Sequence, residues 1–272
     1  MDGRLQLRIQ RYGWDKAAPV YERGWARALE PAQRRLLDFA ALRPGEKVLD
    51  VACGTGLATW PAAEAVGATG SVLATDLSDE MVRALRDAAA ARGLAQVRAE
   101  RMDAQRLAVR DGEFDAALCA LGLMYVPDPV AALREMARAV RPGGRVAAAV
   151  WGARAHCGWA EIFPIVDARV ESEVCPMFFQ LGGEGALAMA MGMAGLAPVR
   201  AERIAVTIEY ASGEEACVAA FAAGPVALAY SRFDARTRAE AEAEYLASIA
   251  GFRVGAGYEI PGEFVVAVGT RN

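Results

Sequence analysis

Hydrophobic positions along the chain follow two periods that alternate with each other from residue 46 to residue 151. Short apolar runs of strand length are separated by stretches in which apolar residues recur every three or four positions, as on one face of a helix. The runs predicted to be strands lie at 48–51, 71–75, 96–102, 114–121, 145–151, 199–210 and 264–270. Because strands that alternate with helices are typical of a parallel sheet covered on both faces, we predict an α/β fold. The sheet is expected to be doubly wound, seven-stranded and mostly parallel, with its last strand antiparallel.

Helical patterns precede this alternation and interrupt it twice after residue 151. Residues 1–42 are amphipathic, with Trp14, Tyr21 and Trp25 at helical spacing, and Pro31 is predicted to begin a second helix there. The segment 212–250 is predicted to be helical, with a break at Gly224-Pro225. No repeat, low-complexity linker or charge block divides the chain, so we predict one domain over residues 1–272. Its sheet core is assigned to about 31–152, 185–211 and 252–272, and its helical cap to about 1–30, 153–184 and 212–251.

Composition and charge argue against several classes of function. The chain has 30 basic and 34 acidic side chains and a net charge of −4, whereas a nucleic-acid surface requires a basic stripe. Its five cysteines lack zinc-ligand spacing and are odd in number, so we predict no metal site and reduced thiols. The N-terminus lacks the apolar stretch of a signal peptide, and the longest apolar run is shorter than the roughly 20 residues that span a bilayer. We therefore expect a soluble, cytoplasmic protein without a nucleic-acid partner or a membrane span.

The strand at 48–51 leads into a glycine turn, Cys53-Gly54-Thr55-Gly56, and then into a helical pattern. A strand, a glycine turn and a helix in this order bind nucleotides, because the glycines let the backbone approach the ligand closely. Asp50 lies just before the turn, where it would repel a pyrophosphate but not an amino group or a ribose. A dinucleotide site is disfavoured as well, since Thr59 stands where that fingerprint requires Gly or Ala.

Three aspartates follow or end successive strands of the predicted sheet: Asp50, Asp76 and Asp103. In an open parallel sheet the carboxyl ends of the strands face the ligand crevice, so these acids are expected near one ligand. Asp76 comes 20 residues after Gly56, the distance at which an acid can accept hydrogen bonds from ribose hydroxyls.

The combination of motifs resembles the class I S-adenosylmethionine-dependent methyltransferases, and most closely their ubiquinone/menaquinone-biosynthesis-like branch (methyltransferase type 11). The resemblance extends from about residue 44 to residue 152. It rests on Val48 to Gly56, on Asp76-Leu77-Ser78-x-x-Met81, on Asp103-Ala104 and on Arg141-Pro142-Gly143-Gly144. The chain departs from the family at Ala52, where Gly is usual, and at Tyr125, where relatives often have His or Phe.

The resemblance implies a Rossmann-like fold that binds S-adenosylmethionine and releases S-adenosylhomocysteine. The glycine loop would hold the methionine part of the cofactor through Ala52, Cys53, Gly54, Thr55 and Gly56. Asp50 would lie near the amino group, and the backbone of Ala120 and Leu121 would face it. Tyr21 would close over the carboxylate.

For the adenosine part, the resemblance implies contacts with both the sugar and the base. Asp76 would accept the two ribose hydroxyls, and Leu77 and Met81 would flank the adenine ring. Asp103 and the N–H of Ala104 would bind the edge of the base.

The methyl acceptor is expected to bind between the cap segments, which contain most of the aromatic side chains. Candidate walls are Trp14, Trp25, Trp151, Trp159, Phe163, Phe178, Phe179, Phe221 and Tyr230. As substrate residues we select Trp14, Tyr125 and Trp151, and a lining of this kind favours a small apolar or aromatic molecule. His156, the only histidine, is the candidate catalytic base, although its surroundings in the sequence favour a solvated loop histidine over a catalytic one.

Two alternatives to methyl transfer stay open on the sequence alone. The same cofactor serves other transferases, such as those that move an aminopropyl group or that use a sulfonium ylide. A cofactor-binding partner protein without activity would share the glycine loop, but side chains would block its acceptor pocket. The sequence does not specify the acceptor, the methylated element or the oligomeric state.

Overall fold

The computed structural model describes residues 3–171, 175 and 177–272, and it contains a central eight-stranded sheet against which helices pack. In chain order its elements are α1 (Gly3–Ala17), α2 (Tyr21–Ala40), β1 (Lys47–Val51), α3 (Thr59–Val66), β2 (Ser71–Asp76), α4 (Asp79–Ala91), β3 (Val97–Arg101), β4 (Phe114–Ala120), α5 (Pro129–Ala139), β5 (Val140–Trp151), α6 (Ile162–Asp167), α7 (Ala186–Met193), β6 (Leu196–Tyr210), α8 (Gly213–Cys217), α9 (Ala227–Arg232), α10 (Ala235–Ser248), β7 (Arg253–Val254) and β8 (Gly257–Arg271). No helix in this described part of the chain is long and apolar enough to cross a membrane.

The strands are arranged in the order β3-β2-β1-β4-β5-β8-β6. The first five are parallel, and β8 runs antiparallel to both of its neighbours. This order confirms the mostly parallel, doubly wound sheet. The predicted count of seven strands is wrong, because the two-residue β7 pairs with β8 and is too short to show an alternating pattern. The direction of winding reverses between β1 and β4, so a ligand crevice is expected at their carboxyl ends.

The helices that border this crevice begin at well-defined caps. The hydroxyl oxygen of Ser78 accepts the N–H of Met81 at 3.1 Å and starts α4 two residues after β2 ends. Asp128 does the same for α5, accepting the N–H of Ala131 at 2.9 Å, with Pro129 at the first helical position. Both caps fix a helix N-terminus close to the carboxyl end of a strand.

One prediction about helices needs correction. Pro31 does not begin a helix but lies inside α2, because Leu29 and Leu36 are buried on either side of it and their packing outweighs the missing hydrogen bond. The segment 212–250 is helical and has its predicted break at Gly224-Pro225. Before the break lie α8 and a π-helical turn at Val218–Ala222, and after it lie α9 and α10.

An ionisable side chain, that of Asp50, lies inside the sheet next to the glycine turn. The side chain of Asp50, in β1, is fully buried, and its Oδ2 accepts the hydroxyl of Thr59 at 2.6 Å, which ties β1 to α3. Its other oxygen, Oδ1, has no hydrogen-bond partner. The pKa of Asp50 is raised to about 7. Burial is the main cause and the charge of the nearby Asp76 adds to it, while the hydrogen bond from Thr59 acts in the opposite direction.

We predict that the free energy of unfolding falls as the pH rises from about 4 to about 7. Unfolded Asp50 ionises near its ordinary pKa of about 4, whereas folded Asp50 ionises near 7, so the folded state holds an extra proton in this window. The stabilisation is therefore complete below the unfolded pKa and is lost as the pH passes the folded one. A shift of this size corresponds to roughly 2–4 kcal/mol.

Asp50→Asn keeps the shape of the side chain and removes its ionisation, so denaturant titrations of this variant should show a much flatter pH dependence. The residual slope should come from Asp76, whose pKa is also raised. An equal slope in both proteins would show that Asp50 is ionised throughout.

Candidate cofactor and acceptor site

A cavity opens at the carboxyl ends of β1, β2 and β4, where the order of the strands reverses. It holds about 970 Å³ of atom-free space, including its mouth towards solvent. Its walls contain most of the predicted site residues, namely Trp14, Tyr21, Ala52, Gly54, Asp76, Leu77, Met81, Asp103, Ala104, Ala120, Leu121, Tyr125 and Trp151. The structure therefore brings the predicted cofactor and acceptor residues into one cavity.

The turn after β1 depends on backbone in the left-handed region. The φ angle is +56° at Ala52 and at Gly54, and it is +104° at Gly56. A methyl group at Gly54 would come within 3.6 Å of the Tyr21 ring, so this ring lies next to the loop backbone. Ala52 adopts a conformation that favours glycine, which agrees with the usual Gly of the family. Its methyl group fits because the facing residue, Gly122, has no side chain to collide with it.

The carboxylate of Asp76 is the main polar group of the cavity. Its Oδ2 accepts the N–H of Gly54 and its Oδ1 accepts the N–H of Ser78, each at 2.9 Å. Asp76 is 8% exposed, and burial raises its pKa although both backbone N–H groups act in the opposite direction. A carboxylate has about four acceptor positions, so two remain for hydroxyl donors of a ligand.

Asp103 lies on the same wall of the cavity as Asp76, two residues beyond the end of β3. Its Oδ1 accepts the N–H of Gln105 at 2.9 Å, which fixes the turn that carries Ala104. Leu77 and Met81 supply apolar surface between the two acids. Acidic acceptors beside apolar surface suit an adenosine, whose sugar donates hydrogen bonds and whose base is flat.

Near the glycine turn, two buried oxygens lack hydrogen-bond partners: Oδ1 of Asp50 and Oγ1 of Thr55. Neither residue lines the cavity, and neither do Cys53 and Gly56. Asp50 is set back because it is level with Ala74 in the sheet register, two residues before Asp76. These side chains therefore do not reach a ligand in the cavity directly, and the fit to S-adenosylmethionine rests on Asp76, Asp103 and the backbone of Ala52 and Gly54.

A second part of the cavity lining, the aromatic end, contains Trp14, Tyr21, Tyr125 and Phe178. Trp14 packs edge-on against Tyr21 and Tyr125, with ring centroids 5.8 and 5.0 Å apart, and Tyr125 contacts Phe178 at 5.4 Å. Burial raises the pKa of Tyr21 and of Tyr125, so both phenols stay protonated at neutral pH. This end can therefore donate hydrogen bonds but offers no ready base.

Several cavity residues were not selected from the sequence. Trp25, Trp159 and Phe178 belonged to the candidate aromatic walls, and their helical spacing was the available signal. The others have ordinary apolar or amide side chains that no pattern distinguishes from core residues: Leu7, Gln10, Leu29, Val51, Met102, Gly122, Val126 and Pro225.

His156 lies outside the cavity lining. Its side chain is 59% exposed, and its Nδ1 lies 3.0 Å from Oε1 of Glu263, which also pairs with Arg203. Glu263 keeps a pKa of about 2, because its hydrogen bonds with Arg203 and His156 outweigh the effect of burial. Among the described residues, no group of three or more His, Cys, Asp or Glu side chains is placed to hold a metal ion.

Comparisons with known proteins agree with this geometry. Residues 48–144 match the family described as "Methyltransferase domain". The chain is 38% identical to the nocamycin O-methyltransferase of Saccharothrix syringae over 133 residues, which are 49% of this chain and 48% of that protein. It is 42% identical to the ubiquinone/menaquinone biosynthesis C-methyltransferase UbiE of Idiomarina loihiensis over 115 residues, 42% of this chain and 46% of that protein.

The chain thus spans about half the length of the curated relatives it matches. Among solved structures, the YcgJ protein of Bacillus subtilis has the same fold, with a TM-score of 0.61 over 89% of this chain and 99% of that one, at 18% identity. The motifs, the strand order and the family match agree. Residues 48–144 match a methyltransferase domain, and the resemblance of the chain to the S-adenosylmethionine-dependent methyltransferases is confirmed.

Proposed function

We propose that this protein transfers a methyl group from S-adenosylmethionine to a small, apolar or aromatic molecule and releases S-adenosylhomocysteine. The observation that carries this proposal is one continuous cavity with two unlike ends. The glycine loop, Asp76 and Asp103 form a polar end, while Trp14, Tyr125 and Trp151 contribute to an aromatic end. A partner protein without activity would not need the second end.

The polar end matches the adenosine part of the cofactor. Asp76 has acceptor positions left for the two ribose hydroxyls, and Leu77 and Met81 offer apolar surface to the adenine. Asp103 and the backbone of Ala104, which line the same cavity, would bind the edge of the base.

When bound, S-adenosylmethionine supplies a sulfonium methyl group that is already electrophilic. The chain therefore has to align the acceptor and exclude water, rather than to activate the methyl group. The aromatic end would serve both tasks, since Trp14, Tyr21 and Tyr125 pack edge to face and form an apolar wall. The two tyrosines, which stay protonated, can orient an acceptor oxygen or nitrogen by donating a hydrogen bond.

The first test of this proposal is the affinity for S-adenosylhomocysteine, measured by calorimetry. Asp76→Ala removes two charge-assisted hydrogen bonds to the ribose, which together contribute roughly 2 kcal/mol, so binding should weaken about 30-fold or more. Asp87→Ala is a matched control, because Asp87 is an exposed acid on α4, the helix that follows the strand of Asp76, and does not line the cavity. The control should bind like the wild type, and an unchanged affinity of Asp76→Ala would contradict the assignment.

The second test concerns catalysis by alignment alone. The enzyme is incubated with S-adenosylmethionine and a panel of small aromatic hydroxy compounds, and the release of S-adenosylhomocysteine is measured. Because His156 is exposed and bound to Glu263, His156→Ala should retain the rate of the wild type within about twofold. A loss of about 100-fold or more in kcat, with unchanged cofactor affinity, would instead make His156 the general base.

A further inference from the structure

The first helix contributes part of the cavity wall. Leu7, Gln10 and Trp14 of α1 line the cavity, and Trp14 contacts Tyr21 and Tyr125. The helix packs on α9 and on α4. The aromatic end of the cavity is therefore complete only when α1 is in this position.

The contact between α1 and α4 is made by an acid next to Trp14. Oδ1 of Asp15 accepts the hydroxyl of Ser78 at 2.6 Å and the N–H of Glu80 at 3.2 Å. Both donors belong to the N-terminal end of α4, where the helix dipole favours a negative charge. Asp15 therefore anchors α1 to the start of α4.

Ser78 connects this anchor to the polar end of the cavity. Its side chain is fully buried; its hydroxyl donates to Asp15 and its backbone N–H donates to Oδ1 of Asp76 at 2.9 Å. One residue thus lies between two carboxylates, of which one holds α1 and the other faces the ligand. The two negative charges repel each other, and Asp15 contributes to raising the pKa of Asp76.

We propose that Asp15 is a positioning residue that couples the docking of α1 to occupancy of Asp76, so that the cofactor binds first and thereby completes the acceptor site. This inference rests on the proposed function. Ribose hydroxyls that donate to Asp76 withdraw part of its negative charge and weaken its repulsion of Asp15. Docking of α1 then becomes more favourable, and Trp14 is held against Tyr125.

The coupling between cofactor binding and docking of α1 is reciprocal. If the cofactor favours the docked position of α1, then the docked position favours the cofactor by the same factor. An acceptor that needs Trp14 as a wall binds better after the cofactor than before it. The structure thus points to an ordered reaction, with the cofactor as the first ligand.

A second tie between the same helices supplies a control. Arg11 of α1 pairs with Asp79 of α4, and their side chains are 34% and 49% exposed. An exposed pair of this kind contributes little to stability and has no link to Asp76. Asp79→Ala should therefore leave the coupling intact.

The experiment is hydrogen–deuterium exchange of residues 3–17, with and without saturating S-adenosylhomocysteine. In the wild type and in Asp79→Ala, we expect the ligand to slow exchange of α1 about fivefold or more, the lower range of typical coupling factors. In Asp15→Ala the ligand effect should fall below about twofold. Asp15→Asn keeps an acceptor oxygen but has no charge. Without ligand, its α1 should therefore exchange more slowly than that of Asp15→Ala, and S-adenosylhomocysteine should not slow the exchange further.

Thermal unfolding verifies that each variant is folded, and calorimetry verifies that it binds S-adenosylhomocysteine. If the wild type binds the ligand but α1 shows no added protection, or if Asp15→Asn responds like the wild type, the coupling is contradicted. If the wild type does not bind the ligand at all, the proposed function itself fails. The two failures are therefore distinguishable.

Discussion

The carboxylate of Asp76 is the point at which the parts of the site meet. It accepts one N–H from the glycine loop, at Gly54, and another from the start of α4, at Ser78. Because Ser78 also donates to Asp15, the same group is connected to α1. The loop after β1, the helix after β2 and the N-terminal helix therefore take their relative positions from one buried acid, in a place where a charge is costly unless its hydrogen bonds are made.

This arrangement explains how one cavity serves two ligands of unlike chemistry. The parallel strands place acids and backbone groups at their carboxyl ends, where they face a polar nucleoside. The added helices place indole and phenol rings opposite them, where they favour a flat apolar molecule. Methyl transfer requires that these two binding surfaces adjoin and that water is excluded between them. Beyond this alignment, the reaction needs little further catalysis by side chains.

Local signals in the sequence predicted the parts of the structure that depend on neighbouring residues. The glycine turn, the cap at Ser78 and the apolar strands are all found where these signals indicated, since each depends on residues a few positions apart. Asp76 and Asp103 line the cavity as expected, whereas Asp50 does not. The difference depends on the register between β1 and β2, which sets Asp50 level with Ala74 and which no single strand specifies.

Contacts between distant residues could not be predicted in the same way. Asp15 and Ser78 are 63 positions apart, and His156 and Glu263 are 107 apart, so neither pair leaves a periodic signal. Pro31 was misleading for a related reason, because burial of α2 on both sides of it outweighs its local preference for a helix start. The two-residue β7 is visible only through its pairing with β8.

The most direct test of the account is a crystal structure of the protein with S-adenosylhomocysteine bound. It should show both ribose hydroxyls within hydrogen-bond distance of the Asp76 carboxylate, about 2.5–3.0 Å, and the sulfur directed towards Trp14 and Tyr125. A ribose bound away from Asp76, or a sulfur that faces the glycine loop with the aromatic end closed off from it, would contradict the proposal that this cavity performs methyl transfer.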